Sequence, residues 1–151
     1  MNLKYVAVIT MSVCTFFGHK DTPNKIEPLL RAALIDLIEK QRVSLFYVGN
    51  QGSFDRMVRK VLRELKALYP QIDYAVVLAY LPEKPNPQED YSDTIYPLEG
   101  VPPKFAIDRR NHWMIDHSDF VVSYVWKPWG GAAKFKGIAE KKGLQVLNLE
   151  M

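Results

Sequence analysis

The chain has 151 residues, 48% hydrophobic and 25% charged, the size and balance of one ordinary globular domain. Twenty Lys and Arg against seventeen Asp and Glu leave a net charge of +3, which excludes a disordered polyelectrolyte and weighs against a dedicated nucleic-acid coat. The single cysteine, Cys14, excludes an internal disulfide and a cysteine-cluster zinc site, and suits a reducing compartment. The first apolar run, Tyr5 to Phe17, is too short to span a membrane and is interrupted by Thr10, Ser12 and Thr15. No small-x-small cleavage site follows it, so it reads as a buried strand with its core at Ser12–Phe17, in a cytoplasmic protein. Residues 1–10 extend that strand or form a leader, with Met11 as an alternative start. Cys14 lies inside this strand and reads as core, not as a nucleophile.

Ile26, Leu29, Leu30, Ala33, Leu34, Leu37 and Ile38 recur at helical spacing and predict a helix over about 24–40. Ser44–Val48 follows as a strand. Phe54, Met57, Val58, Val61, Leu62, Leu65 and Leu68 predict a second helix, stopped by Pro70. Asp73–Leu81 is the third strand. A helix over Lys104–Asp116 leads into a strand at Phe120–Val125, and Gln145–Leu149 closes the set. Strands that are apolar throughout are covered on both faces. Strand and helix in alternation therefore predict an α/β three-layer, Rossmann-like sandwich with a mainly parallel sheet of about five strands, in one domain over 1–151.

Pro82–Pro103 interrupts this order. It holds six of the ten prolines, and Glu83, Glu89, Asp90, Asp93 and Glu99 against Lys84 alone. A connection this long reads either as a solvated acidic loop or as an ordered lid, and Tyr91 and Tyr96 favour the lid.

Ligands of open parallel sheets sit beyond the carboxyl ends of the strands, so the residues after each strand are the candidates. After the first come Gly18, His19 and Lys20. After the second come Gly49, Gln51 and Gly52, with Asp55 opening the helix. After the fourth come Gly130 and Gly131, then Lys134. Two glycine-bearing strand-to-helix turns on one edge suit an anion, because free helix N–H groups and the helix dipole point there. Neither a Walker A loop nor the dinucleotide fingerprint is present, and no nucleophile elbow occurs. The periodicity of Lys104–Asp116 turns Arg110 and Asn111 inward. Arg110 then either joins a structural network, with Asp119 or Asp55 as partner, or faces the ligand with its planar fork. His19 reads as a structural loop residue or as a phosphate or acid/base contact. Trp126 and Trp129 either cap the core edge, form a contact between copies, or stack a base. His112 and His117 lack the spacing of a metal pair, and the sequence calls for no metal and no cofactor.

Taken in order, Cys14-Thr15-Phe16-Phe17-Gly18-His19-Lys20, Gly49-x-Gln51-Gly52-x-Phe54-Asp55, Tyr91-x-Asp93-Thr94-Ile95-Tyr96-Pro97, Arg110-Asn111-x-Trp113-Met114 and Gly130-Gly131-Ala132 resemble the YpsA-like branch of the SLOG superfamily, named for its Smf/DprA and Lonely-guy relatives. The resemblance covers nearly the whole chain from Met11. It implies a Rossmann-like fold holding a nucleotide or nucleotide-derived ligand, ADP-ribose-like, among Gly18-His19, Gly49–Gly52 with Asp55, Arg110-Asn111 and Gly130-Gly131. Lonely-guy relatives are phosphoribohydrolases with a Pro-Gly-Gly-x-Gly-Thr-x-x-Glu motif. The matching stretch here, Trp129–Lys136, lacks the Thr and the Glu, which favours binding over that hydrolysis.

Three functions follow as expectations. The first is a small nucleotide-type ligand held as by a sensor or a nucleotide-processing protein. The second is a phosphoribohydrolase-type enzyme, for which Asp55 and Asp93 are the candidate carboxylates. The third, a DNA-associated protein of the DprA kind, is opposed by the near-neutral charge. No membrane partner is expected, and a homodimer through an apolar helix face is. The positive excess lies around Arg109, Arg110, Lys127, Lys134 and Lys136, and the acidity in the proline-rich segment.

Overall fold

The computed structural model describes residues 11–84, 87–88 and 92–150. The readings of residues 1–10 and of Tyr91, Glu89 and Asp90 lie outside the described residues. Six strands form one sheet: β1 (Ser12–Gly18), β2 (Val43–Val48), β3 (Asp73–Val77), β4 (Thr94–Ile95), β5 (Phe120–Tyr124) and β6 (Gln145–Asn148). Four α-helices accompany them: α1 (Glu27–Glu39, entered by a 3-10 turn at Asn24–Ile26), α2 (Gly52–Leu68), α3 (Pro103–Asp116) and α4 (Gly131–Lys141). The sheet order is β4-β3-β2-β1-β5-β6, and every neighbouring pair is parallel.

The two faces are covered separately, as continuous apolarity in the strands demands. On one, Leu30, Leu34, Val58, Leu62 and Leu65 of α1 and α2 pack with Cys14, Phe16 and Phe46. On the other, Met114, Ile115, Phe135 and Ala139 of α3 and α4 pack with Phe17, Val77 and Val121. The fold is thus the three-layer α/β sandwich expected, with six strands where the sequence predicts about five. The extra strand is β4. It comes from the proline-rich segment, whose composition hides it: only Thr94 and Ile95 pair, to Val76 and Val77. Beside it the Val76 N–H donates to the Asp93 carbonyl at 2.7 Å, and Tyr96 packs on the α1–α2 core. The end of the segment is therefore built into the domain. The third strand is shorter than the apolar run suggested, ending at Val77, because Leu78 and Ala79 stay buried after the strand geometry stops.

From β1 the chain winds one way through β2 to β4, then returns to the other side of β1 for β5 and β6. The switch point lies between β1 and β5. There the loops leaving two adjacent strands diverge and open a crevice at the carboxyl edge. Among the described residues no helix is long and apolar enough to cross a membrane.

Candidate functional site

A cavity of about 400 Å³ occupies this switch point, within the size range of small-molecule sites. Phe16, Phe17 and Met114 form an apolar floor, and Ile107 and Trp129 also line it. The loop after β1 brings Gly18, His19 and Lys20, and the loop after β5 brings Lys127, Gly130 and Gly131. Gln51 enters from the N-cap of α2, Asp55 from its first turn, and Arg110 and Asn111 from α3. Residues scattered over more than a hundred positions thus converge on one crevice.

Three local devices hold it open. Gly18 faces the Phe54 ring so closely that a Cβ there would stand 2.2 Å from Phe54 Cγ. Gly52, at φ +84°, lies under the Lys20 backbone; a Cβ would sit 2.8 Å from Lys20 Cα. The same two loops are tied by the Ser53 N–H and hydroxyl, which donate to the Lys20 carbonyl at 2.9 and 2.6 Å. Gly130, at φ +97°, is the N-cap of α4 and supplies no side-chain cap. The first amides of that helix lack intrahelical acceptors, and Gly131 and Ala132 there line the cavity.

Asp55 is the unusual group. Its side chain is 9% exposed and accepts the Gln51 N–H at 2.9 Å, a carboxylate reaching back to the N-cap amide. Burial pushes its carboxyl up to about 6, against the lowering effects of the Gln51 N–H and the charges of Arg110 and Arg59. Gly49 makes room for this arrangement: a Cβ there would lie 2.7 Å from Asp55 Oδ2 and 3.1 Å from Arg110 Cζ. Gly49 therefore supports the site from behind and does not line it.

Arg110 is buried, as its helical position predicts, at 3% exposure. Its Nε donates to Asn111 Oδ1 at 2.8 Å and its Nη1 to the Val77 carbonyl at 2.9 Å, with Asn50 Oδ1 at 3.4 Å. The guanidinium thus ties the end of β3 to the loop after β2 as a network residue, and it also lines the cavity. Asp119, the other partner considered, instead accepts the Val13 N–H at 3.0 Å. Burial lowers the Arg110 guanidinium from its ordinary value, and the nearby Asp55 opposes this.

His19 is a structural residue in this site. Its Nε2 accepts the N–H groups of Trp126 and Lys127 at 3.1 and 3.2 Å, pinning the loop after β5 to the loop after β1. Acceptance at Nε2 requires the neutral ring with its proton on Nδ1. Burial, with Lys127 nearby, lowers its pKa from 6.5. Lys134 is turned away from the cavity by the helix, and its ammonium pairs with Asp108 of α3 at 2.7 Å. Asp93 lies elsewhere, in a second hollow beside α2. Cys14 is fully buried, and burial pushes its thiol far up, as a core residue requires.

Lys127 and Asp21 also line the cavity, though the sequence pattern does not mark them as ligand contacts; their side chains meet at 3.5 Å on the rim. A loop aspartate has no periodicity to mark it. Trp129 is 67% exposed at the cavity mouth, while Trp126 packs edge-on against His19. Among the described residues no three His, Cys, Asp or Glu side chains gather as a metal ion needs. No protein-family model matches the chain, and no curated protein sequence matches it.

Proposed function

We propose that this chain binds a nucleotide or nucleotide-derived ligand, of the ADP-ribose kind, at the carboxyl ends of its parallel strands. The observation that carries the reading is the combination at one switch point of an uncapped helix start at Gly130-Gly131, two lysines and an apolar floor. The amides and the ammonium groups of Lys20 and Lys127 take the phosphate. Asn111 and Asp55 take hydroxyl or base donors. Trp129 offers a face on which a base stacks. This agrees with the resemblance to the YpsA-like SLOG proteins and makes the chain a nucleotide-ligand sensor or processing protein.

A thermal-shift panel of ADP-ribose, AMP and NAD tests it. Ligand at 100 times its dissociation constant stabilises the fold by about 2.7 kcal/mol. The absence of any shift across the panel at millimolar concentration contradicts the reading. One observation favours a second reading: a carboxyl raised to about 6 in the cavity suits a general acid/base, as a phosphoribohydrolase needs. Release of free base from nucleoside monophosphates, lost in Asp55→Asn, distinguishes enzyme from binder.

A further inference from the structure

The wall of the switch-point cavity that carries Lys127 and Trp129 is one short loop between β5 and α4. Its first three amides find their acceptors on two side chains. Asn148 of β6 accepts the Val125 N–H at Oδ1, 2.9 Å away, and its Nδ2 donates to the Val125 carbonyl at 3.0 Å. The next two amides, of Trp126 and Lys127, go to His19 Nε2 at 3.1 and 3.2 Å. Among the described residues, the main chain from Trp126 to Trp129 makes no other hydrogen bond. The loop therefore has two clasps: Asn148 fixes its root, and His19 holds the part that walls the cavity.

The two clasps differ in chemistry. The Asn148 amide does not titrate. His19 accepts at Nε2 only as the neutral ring; the imidazolium donates at both nitrogens and has no acceptor left. A charged His19 would therefore face two N–H groups with a third, and the clasp cannot coexist with it. The ring is buried, with Tyr124 of β5 and Trp126 packed edge-on against it at 6.2 and 5.7 Å between centroids. The charged groups that act on it are Lys127 from the loop after β5 and, opposing, Asp21 from its own loop. Burial and Lys127 together hold the clasped ring neutral below its ordinary 6.5. The freed ring takes a proton more readily than the clasped one, so the clasp is complete above 6.5 and weakens as pH falls beneath it.

We propose that His19 is a proton-operated clasp on the switch-point cavity: its protonation frees the loop from Trp126 to Trp129, which swings about Val125 and takes the anion-holding wall with it. The effect on binding rests on the reading of this cavity as a nucleotide-ligand site. A ligand that needs the wall in place binds only the clasped form, so its apparent affinity falls with the clasped fraction. By linkage, the bound ligand keeps His19 neutral to lower pH. For a freed ring titrating at its ordinary value, the open form gains at most about thirtyfold at pH 5, which bounds the loss of affinity.

Two measurements on the full chain test this. The first needs no ligand: amide NOE values at Trp126, Lys127 and Trp129, which report backbone order, are followed from pH 7.5 to pH 5. They fall with pH in the wild type and stay high in His19→Gln, whose amide oxygen accepts without titrating. Loop amides that stay ordered throughout in the wild type overturn the clasp, whether or not the variant folds. The second is the affinity for ADP-ribose, whose diphosphate keeps its charge over this range. It weakens at least threefold from pH 7.5 to pH 5 in the wild type and by clearly less in His19→Gln. Asp55 titrates in both proteins and cancels from the comparison. Equal pH dependence in the two overturns the proposal. So does an affinity that rises as pH falls in the wild type alone, which makes the imidazolium itself an anion contact. Loop amides that loosen with falling pH in a protein that binds no ADP-ribose at any pH support the clasp and contradict the nucleotide reading, so the two fail separately.

Discussion

Asp55→Asn is expected to make the protein more stable, and by an amount that depends on pH. In the folded chain, burial raises the Asp55 carboxyl from 3.8 to about 6. A carboxyl that holds its proton more tightly in the fold than in the unfolded chain favours folding at low pH and disfavours it once ionised. Below about 4 both states carry the proton and the wild type suffers no penalty. Between about 4 and 6 the unfolded chain has released its proton and the folded chain has not, so stability falls as pH rises. Above 6 the loss is complete, at about 3 kcal/mol for this displacement. Asparagine mimics the neutral acid, and its side-chain oxygen still accepts the Gln51 N–H. At pH 7.5 the variant is therefore more stable by up to about 3 kcal/mol, or about 10 °C in Tm for a chain of this size. Urea unfolding of both proteins at pH 3.5, 5 and 7.5 measures it. A gap that opens with rising pH and levels above 6 is the expected result. A variant less stable at pH 7.5, or a gap of equal size at all three pH values, refutes the reasoning.

Gly18→Ala drives a methyl into the buried Phe54 ring, 2.2 Å from Cγ, and costs about 1–3 kcal/mol by denaturant unfolding. The same change in a Phe54→Ala background costs almost nothing, which identifies the ring contact as the cause. His19→Ala leaves the Trp126 and Lys127 amides without their acceptor, costs about 2 kcal/mol and frees the loop after β5. Because the fold holds His19 below its ordinary 6.5, its contribution is present above that pH and declines as pH falls beneath it. Protection of those two amides, taken relative to the intrinsic exchange rate at each pH, falls as pH drops below 6.5 in the wild type and is low throughout in the variant.

Much of this fold is legible in the sequence because the covered strands are apolar on both faces and the helices on one. The boundaries of β2, β5 and α3 fall within a residue or two of the pattern. β4 is not legible, because two residues in an acidic, proline-rich stretch carry no periodicity, and their pairing to Val76 and Val77 is decided in three dimensions. The glycine turns of the site are legible from position alone, since topology places the residues after each strand at one edge. What each side chain does there is not. Lys134 follows the glycine pair as a phosphate ligand would, yet the helix rotates it to Asp108. His19 reads equally as a structural residue or a ligand contact, and only the structure shows that its Nε2 accepts two backbone amides. The raised carboxyl of Asp55 depends on burial by residues distant in the chain.

Binding at the switch point is tested most directly by amide-resolved NMR during titration with ADP-ribose or AMP. Shifts concentrated at Gly18, Lys20, Gln51, Lys127 and Gly130–Ala132 are the predicted result. Saturable binding whose shifts leave these amides unmoved and fall elsewhere on the sheet contradicts it.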